Sequence, residues 1–160
     1  MKMKIKVKEL VKGSLPEIIK EGDWIDLRAA EDVEFKGTEV QSRKIKYIPL
    51  GIAMQLPKGF EAHVLPRSST PKKFNIMCIN SEGIIDWLYQ GNNDEWKFPA
   101  KALKATTIHK GDRICQFRIQ LSQKATIWQK LKWLFSNGVK IVKVDNLGNN
   151  RGGFGSTGVR

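Results

Sequence analysis

Four segments of the chain combine residue types that could do chemistry. At the C-terminal end, Arg151-Gly152-Gly153-Phe154-Gly155-Ser156-Thr157-Gly158 brings together glycines, two hydroxyls, a cation and one aromatic ring. Glycine lets backbone N–H groups come close to an anion, while hydroxyls and a guanidinium add donors, so this composition suits a phosphate cradle. A Gly-rich chain end without a ligand has the same composition. Pro66-Arg67-Ser68-Ser69 offers a second cation with two hydroxyls after an apolar run, again fit for phosphate and equally at home in an ordinary loop. In Asn80-Ser81-Glu82-Gly83-Ile84-Ile85-Asp86-Trp87-Leu88-Tyr89-Gln90-Gly91, a carboxylate lies between apolar residues with a tyrosine three positions on. Such an aspartate is either a turn residue or a general base, and spacing leaves both open. Gly111-Asp112-Arg113 reads as a turn entering a strand, with Asp112 and Arg113 as a local ion pair. His63 and His109 lie far apart without a neighbouring Cys or Asp pair and read as structural or surface residues. Ser-His-Asp elbows, Walker loops and HExxH are absent from the sequence.

The elements that must position these residues are mostly short strands. Lys2, Lys4, Lys6 and Lys8 alternate with Met3, Ile5 and Val7, the period of a strand with one wet, basic face. Over residues 51–119, short apolar runs alternate with Pro and Gly turns at intervals of about ten residues, the pattern of an all-β sandwich or barrel. One stretch departs from it. Ile127, Trp128, Leu131, Leu134 and Phe135 fall on one helical stripe, with Thr126 as N-cap and Asn137-Gly138 as stop. Trp133 falls off that stripe, which makes the helix apolar on two sides. The helix is expected to pack on its own domain, with a protein partner or a membrane surface as the alternative.

Composition bounds the class. The 160 residues carry 28 Lys+Arg against 16 Asp+Glu, a net charge of +12, with 41% apolar residues. That is one domain with a real core and an excess of positive charge that points to an anionic partner. No stretch approaches the roughly 20 consecutive apolar residues of a spanning helix, and the N-terminus has no apolar leader. A soluble, unexported, cytoplasmic protein is expected, with Cys78 and Cys115 as buried free thiols.

Taken in order, the segments resemble the trimeric dUTPases over most of the chain, from about Asp23 to Gly158. The five family motifs are matched by Asp26-Leu27-Arg28-Ala29, then Pro66-Arg67-Ser68-Ser69, then Asn80 with Gly83-Ile84-Ile85-Asp86-x-x-Tyr89-x-Gly91. Gly111-Asp112-Arg113-Ile114-x-Gln116 and Gly152-Gly153-Phe154-Gly155-Ser156-Thr157-Gly158 complete the set. The resemblance implies an all-β, jelly-roll-like barrel over residues 1–150, a short inserted helix near 126–136 (insertion about 124–138), and a flexible Gly-rich lid over 151–160. It implies hydrolysis of dUTP to dUMP and pyrophosphate with Mg²⁺, which keeps uracil out of DNA and supplies dUMP for thymidylate synthesis. It implies a homotrimer with shared active sites that needs neither membrane nor nucleic acid. Asp86 would be the general base, with Ile84 and Ile85 as an apolar flank, and Asp26 would reach the metal through water. Arg67, Ser68, Ser69 and Gln116 would bind the phosphate chain, with Gly83 among the substrate contacts. Tyr89 would pack beneath the deoxyribose, and Asn80 with the hairpin after Gly91 would read the uracil. Phe154 would close over the base, with Gly155, Ser156 and Thr157 on the phosphates. The family places an arginine five positions before the Phe of the last motif; here that position is Asn149, and Arg151 is the nearest arginine to take the phosphate contact.

The inserted helix is similar to insertions of phage-encoded dUTPases, some of which act on bacterial repressors, and this implies a repressor-type protein partner. Two rival functions remain at the level of sequence. One is a dCTP deaminase of the same fold, and the other is a basic single-strand-binding β-barrel module, which leaves the ordered motifs unexplained.

Overall fold

Period-two patterning becomes a strand wherever one face can be buried. In the computed structural model, which describes residues 1–20 and 22–153, the first strand puts Met3, Ile5 and Val7 inside and Lys2, Lys4 and Lys6 outside. In chain order the elements are β1 (Met3–Glu9), β2 (Glu17–Ile18), β3 (Ile25–Arg28), β4 (Val33–Phe35), α1 (Gly37–Gln41), β5 (Ile45–Gln55), β6 (Phe60–Pro66) and α2 (Thr70–Phe74). They continue with β7 (Ile76–Cys78), β8 (Gly83–Asp86), β9 (Glu95–Ala102), β10 (Thr106–Ile108), β11 (Arg113–Leu121), α3 (Ile127–Leu134) and β12 (Val139–Lys143). Two five-stranded sheets form, in the orders β12-β1-β5-β9-β7 and β2-β3-β11-β6-β8, with β4 and β10 paired beside them. This is the expected all-β, jelly-roll-like fold. The interior is filled from both sheets. Trp96 of β9 meets Phe117 of β11 edge to face at 5.3 Å between ring centroids, and large side chains such as Phe60, Phe98 and Ile52 are fully buried. Each such side chain contributes about 1.5–3 kcal/mol through the apolar surface it removes from water. Among the described residues no helix is long and apolar enough to cross a membrane.

Strand β6 lies between β11 and β8 and fixes the site's dimensions. Its Cys115↔Pro66 to Leu121↔Phe60 register with β11 and its Glu61↔Asp86 to Val64↔Gly83 register with β8 leave neither edge free over most of its length.

The helix forms where its period and caps predict, but its second apolar side does the packing. Thr126 and Gln129 make a reciprocal capping box, the Gln129 N–H donating to Thr126 Oγ1 and the Thr126 N–H to Gln129 Oε1. Gln129 thereby sits tightly over Gly59, and Trp133, four residues on and so on the same face, packs edge to face on Phe60 at 5.3 Å. The stripe itself faces outward: Ile127, Trp128, Leu134 and Phe135 are each more than 60% exposed. Gly138, at φ 74°, ends the excursion and lets the chain return as β12, parallel to β1.

Replacing Trp133 with Ala should therefore lower the unfolding free energy by about 2 kcal/mol, whereas Trp128→Ala should change it by no more than about 0.5 kcal/mol. Urea denaturation measures both. Equal losses would place the stripe, not Trp133, against the domain.

Candidate active site

Asp86 is the last residue of β8, opposite Glu61 of β6. Its Oδ1 accepts the Leu88 N–H at 2.8 Å, and its carbonyl accepts the Tyr89 N–H, so the carboxylate closes the turn that sends Tyr89 back towards the sheet. Turn residue and candidate base are thus the same group. Of the expected apolar flank only Ile85 packs against the core. Ile84 is 54% exposed, because alternate residues of a strand face opposite ways.

A cleft of about 370 Å³ opens beside Asp86, with Asn80, Gly83, Tyr89, Phe98 and Gly153 among its walls. Tyr89 is pinned by its hydroxyl, which donates to the Glu95 carbonyl at 2.9 Å. Burial, with Asp94 and Glu95 nearby, raises the phenol's pKa, which keeps it protonated as that donor. The ring lies against Gly153, where a Cβ would come within 2.8 Å of it.

The chain reaches the cleft because of Asp94, a residue that the motif reading passes over. Its buried carboxylate accepts N–H groups from Gly91 (2.8 Å), Arg151 (2.8 Å) and Gly152 (2.9 Å). Burial pushes its pKa up, but the N–H groups of Arg151, Gly91 and Gly152 outweigh it and leave the carboxyl below its ordinary value. Gly91 must be glycine here, since a Cβ would meet the Asn149 carbonyl oxygen at 2.3 Å. Asn92 and Asn93 add bonds to Asn146, Leu147, Gly148 and Asn150. Held in this way, Arg151 points its guanidinium at both oxygens of Asp86, at 3.1 and 3.3 Å. Phe154, Gly155, Ser156 and Thr157 lie outside the described residues.

A second polar cluster forms on β3, β6 and β11. Asp26 is 3% exposed and is clamped by Arg67 Nε at 3.0 Å and Arg113 Nη1 at 3.1 Å. Gln116 is its cross-strand partner in the β3–β11 register. Arg113 therefore does not pair with Asp112 as the sequence suggests; Asp112 instead accepts the His109 N–H within its own turn. Two cations on one carboxylate leave net positive charge, as an anion site needs. The loop after Arg67 is set by Thr70, a fully buried hydroxyl that accepts the Arg67 N–H and donates to the Ile114 carbonyl. Ser68 is exposed and Ser69 half-buried beside it, the latter at the N-cap position of α2 without a capping bond from its side chain. A lone threonine in a loop gives no sequence signal for such a role.

The two clusters are separated within the chain. Asp86 sits opposite Glu61, and Arg67 follows the last residue of β6, six positions on, which at about 3.3 Å per residue puts their backbones roughly 20 Å apart. The structure thus brings Asn80, Gly83, Asp86, Tyr89 and Arg151 together at one cleft, and Asp26, Arg67, Ser68, Ser69 and Gln116 at another place.

A family model described as dUTPase matches residues 21–158. The chain is 49% identical over 161 residues to the SPbeta prophage-derived deoxyuridine 5'-triphosphate nucleotidohydrolase YosS of Bacillus subtilis, covering 100% of both chains. It is 33% identical over 143 residues to the deoxyuridine 5'-triphosphate nucleotidohydrolase of Maricaulis maris, covering 85% of this chain and 81% of that one. Among solved structures, the dUTPase of Streptococcus mutans superposes with a TM-score of 0.62 at 23% identity, over 72% of this chain and 91% of that one. A variant of the Staphylococcus bacteriophage 80alpha dUTPase with dUpNHpp gives 0.62 at 20% identity, over 97% and 98%. The structural likeness speaks for the fold, and the family model and the identity to YosS for kinship: with its motif residues gathered at two ordered clusters, the chain belongs to the dUTPase family.

Proposed function

We infer that this protein is a dUTP diphosphatase that hydrolyses dUTP to dUMP and pyrophosphate. The observation that carries the reading is the Asp86 cleft, where a carboxylate fixed by a backbone hydrogen bond lines a space walled by a pinned tyrosine and the Asn80 carboxamide. In this reading Asp86 takes a proton from water as the water oxygen bonds to the α-phosphorus. The bond from that phosphorus to the bridging oxygen breaks, and pyrophosphate leaves with the electron pair. Tyr89 supports the deoxyribose, and Asn80 reads the base. Arg151 neutralises Asp86 in the structure, and an incoming phosphate chain offers it a stronger partner, which frees the base. The Gly-rich segment that follows Gly153 then closes over the nucleotide, with Phe154 on the ring and Gly155, Ser156 and Thr157 on the phosphates.

The phosphate chain belongs to the second cluster, held by Arg67, Ser68, Ser69 and Gln116. Two phosphoanhydride links cannot span roughly 20 Å along β6. A complete site therefore takes Asp86 from one subunit and the Arg67 cluster from another, within the homotrimer that the family forms. Magnesium fits this chain as a companion of the triphosphate. Among the described residues no three His, Cys, Asp or Glu side chains converge, and both oxygens of Asp26 already accept guanidinium donors, so Asp26 would meet the ion through water. When bound, the ion supplies charge neutralisation on the phosphates. A repressor-type partner would find its apolar footing on the outward stripe of α3.

Asp86→Asn keeps the shape of the turn and removes the base. Pyrophosphate release from dUTP should fall by about 100-fold or more with the melting temperature little changed. Near-equal rates would refute the role. Asp94→Asn should loosen the tail. Because the carboxyl is held below the ordinary aspartate value of 3.8, its stabilisation is complete above that pH and is lost as pH falls through the lowered value. Protection of the Arg151 and Gly152 amides against hydrogen exchange, relative to the intrinsic rate at each pH, should fall about tenfold in Asp94→Asn at neutral pH, and in the wild type only below pH 3.8. Unchanged exchange in the variant would mean that Asp94 is not the anchor.

A further inference from the structure

Asn80 stands at the corner between β7 and β8, on the rim of the cleft. Its backbone is fixed by two tight bonds, Ser81 N–H to the Cys78 carbonyl and Glu82 N–H to the Asn80 carbonyl, with Ser81 at φ 63°. Its side chain is chemically two-faced, since one end of a carboxamide donates and the other accepts. Which end faces the cleft decides which base edge can pair there. Uracil carries a carbonyl acceptor at position 4, whereas cytosine carries an amino donor.

One contact decides the orientation. Cys78 Sγ lies 3.0 Å from Asn80 Oδ1. A thiol is a weak donor and a poorer acceptor, so the carbonyl end turns to the sulfur and Nδ2 is left for the cleft. Reversing the amide would set an NH₂ group against an S–H. Among the described residues nothing else bonds to the carboxamide. The thiol is 7% exposed, and burial raises its pKa against the opposing pull of the Asn80 N–H, so the proton that it donates is retained at neutral pH.

We propose that Cys78 is a positioning residue for base selection: its S–H locks the Asn80 carboxamide with Nδ2 towards the cleft, so that a pyrimidine with a carbonyl at position 4 is accepted and one with an amino group is rejected. The proposal rests on the reading of this cleft as the deoxyuridine site. A site built to donate to a substrate group rejects an analogue that presents a donor there, because two donors are then left facing each other without an acceptor.

The test uses the full chain. The kcat/KM for dUTP and dCTP, and the binding of dUMP and dCMP by calorimetry, are compared in wild type, Cys78→Ala, Cys78→Ser, Asn80→Ala and the Cys78→Ala/Asn80→Ala double variant. Cys78→Ala should cut the dUTP-over-dCTP ratio roughly tenfold, with the change in KM and nucleotide affinity and not in kcat. Cys78→Ser keeps a donor but adds a competent acceptor, so its ratio should fall between those of wild type and Cys78→Ala, and in the Asn80→Ala background Cys78→Ala should have no further effect. A ratio lost equally in the Ala and Ser variants, one unchanged in Cys78→Ala, or additive losses in the double variant would overturn the proposal while leaving the function in place. A wild type that turns over neither nucleotide and binds neither monophosphate would overturn the reading beneath it.

Discussion

The constraint on which the site depends is the pairing of β6 on both edges. A strand hydrogen-bonded to β11 on one side and β8 on the other cannot shift its register without turning its buried residues outward. Everything attached to its two ends is held at a fixed separation. At one end the register puts Asp86 opposite Glu61; beyond the other, Arg67 leaves the sheet and clamps Asp26. The distance between Asp86 and Arg67 is therefore set by the core, through buried residues such as Ala62. The division of the site between subunits that we propose rests on this sheet geometry.

The second dependency runs through one buried carboxylate. Asp94 ties the hairpin after Tyr89 to a segment nearly sixty residues later, and the same bonds aim Arg151 at Asp86. Tail, hairpin and base are coupled through side-chain-to-backbone bonds of the charge-assisted kind, which are stronger than neutral ones. As far as Gly153 the tail thus reaches the cleft along a path fixed by these bonds.

Much of the fold was legible in the sequence because its signals are local. Lysines alternating with Met3, Ile5 and Val7 specify a half-buried strand, and Thr126 before the apolar stripe specifies a helix start. The motif residues were legible through their order. What was not legible depends on pairs far apart in the chain. Whether α3 docks by its stripe or by Trp133 is decided by Gly59 and Phe60, some seventy residues earlier. Asp94 looks like one polar residue in a polar hairpin until the tail crosses it. Arg113 has an adjacent aspartate to pair with in sequence, yet meets Asp26 across the sheet. The parallel return of β12 onto β1, and the separation of the two clusters along β6, are properties of register, and no composition encodes them.

In the proposed trimer a working site joins Asp86 of one chain to Arg67 of another. The most direct measurement of this is subunit complementation: Asp86→Asn and Arg67→Ala proteins, each deficient alone, are unfolded together in equal amounts, refolded, and assayed for pyrophosphate release from dUTP. Random assembly should restore about a quarter of wild-type activity, since half the chains bring the base and half the arginine to any shared site. A mixture no more active than its parents would contradict the claim.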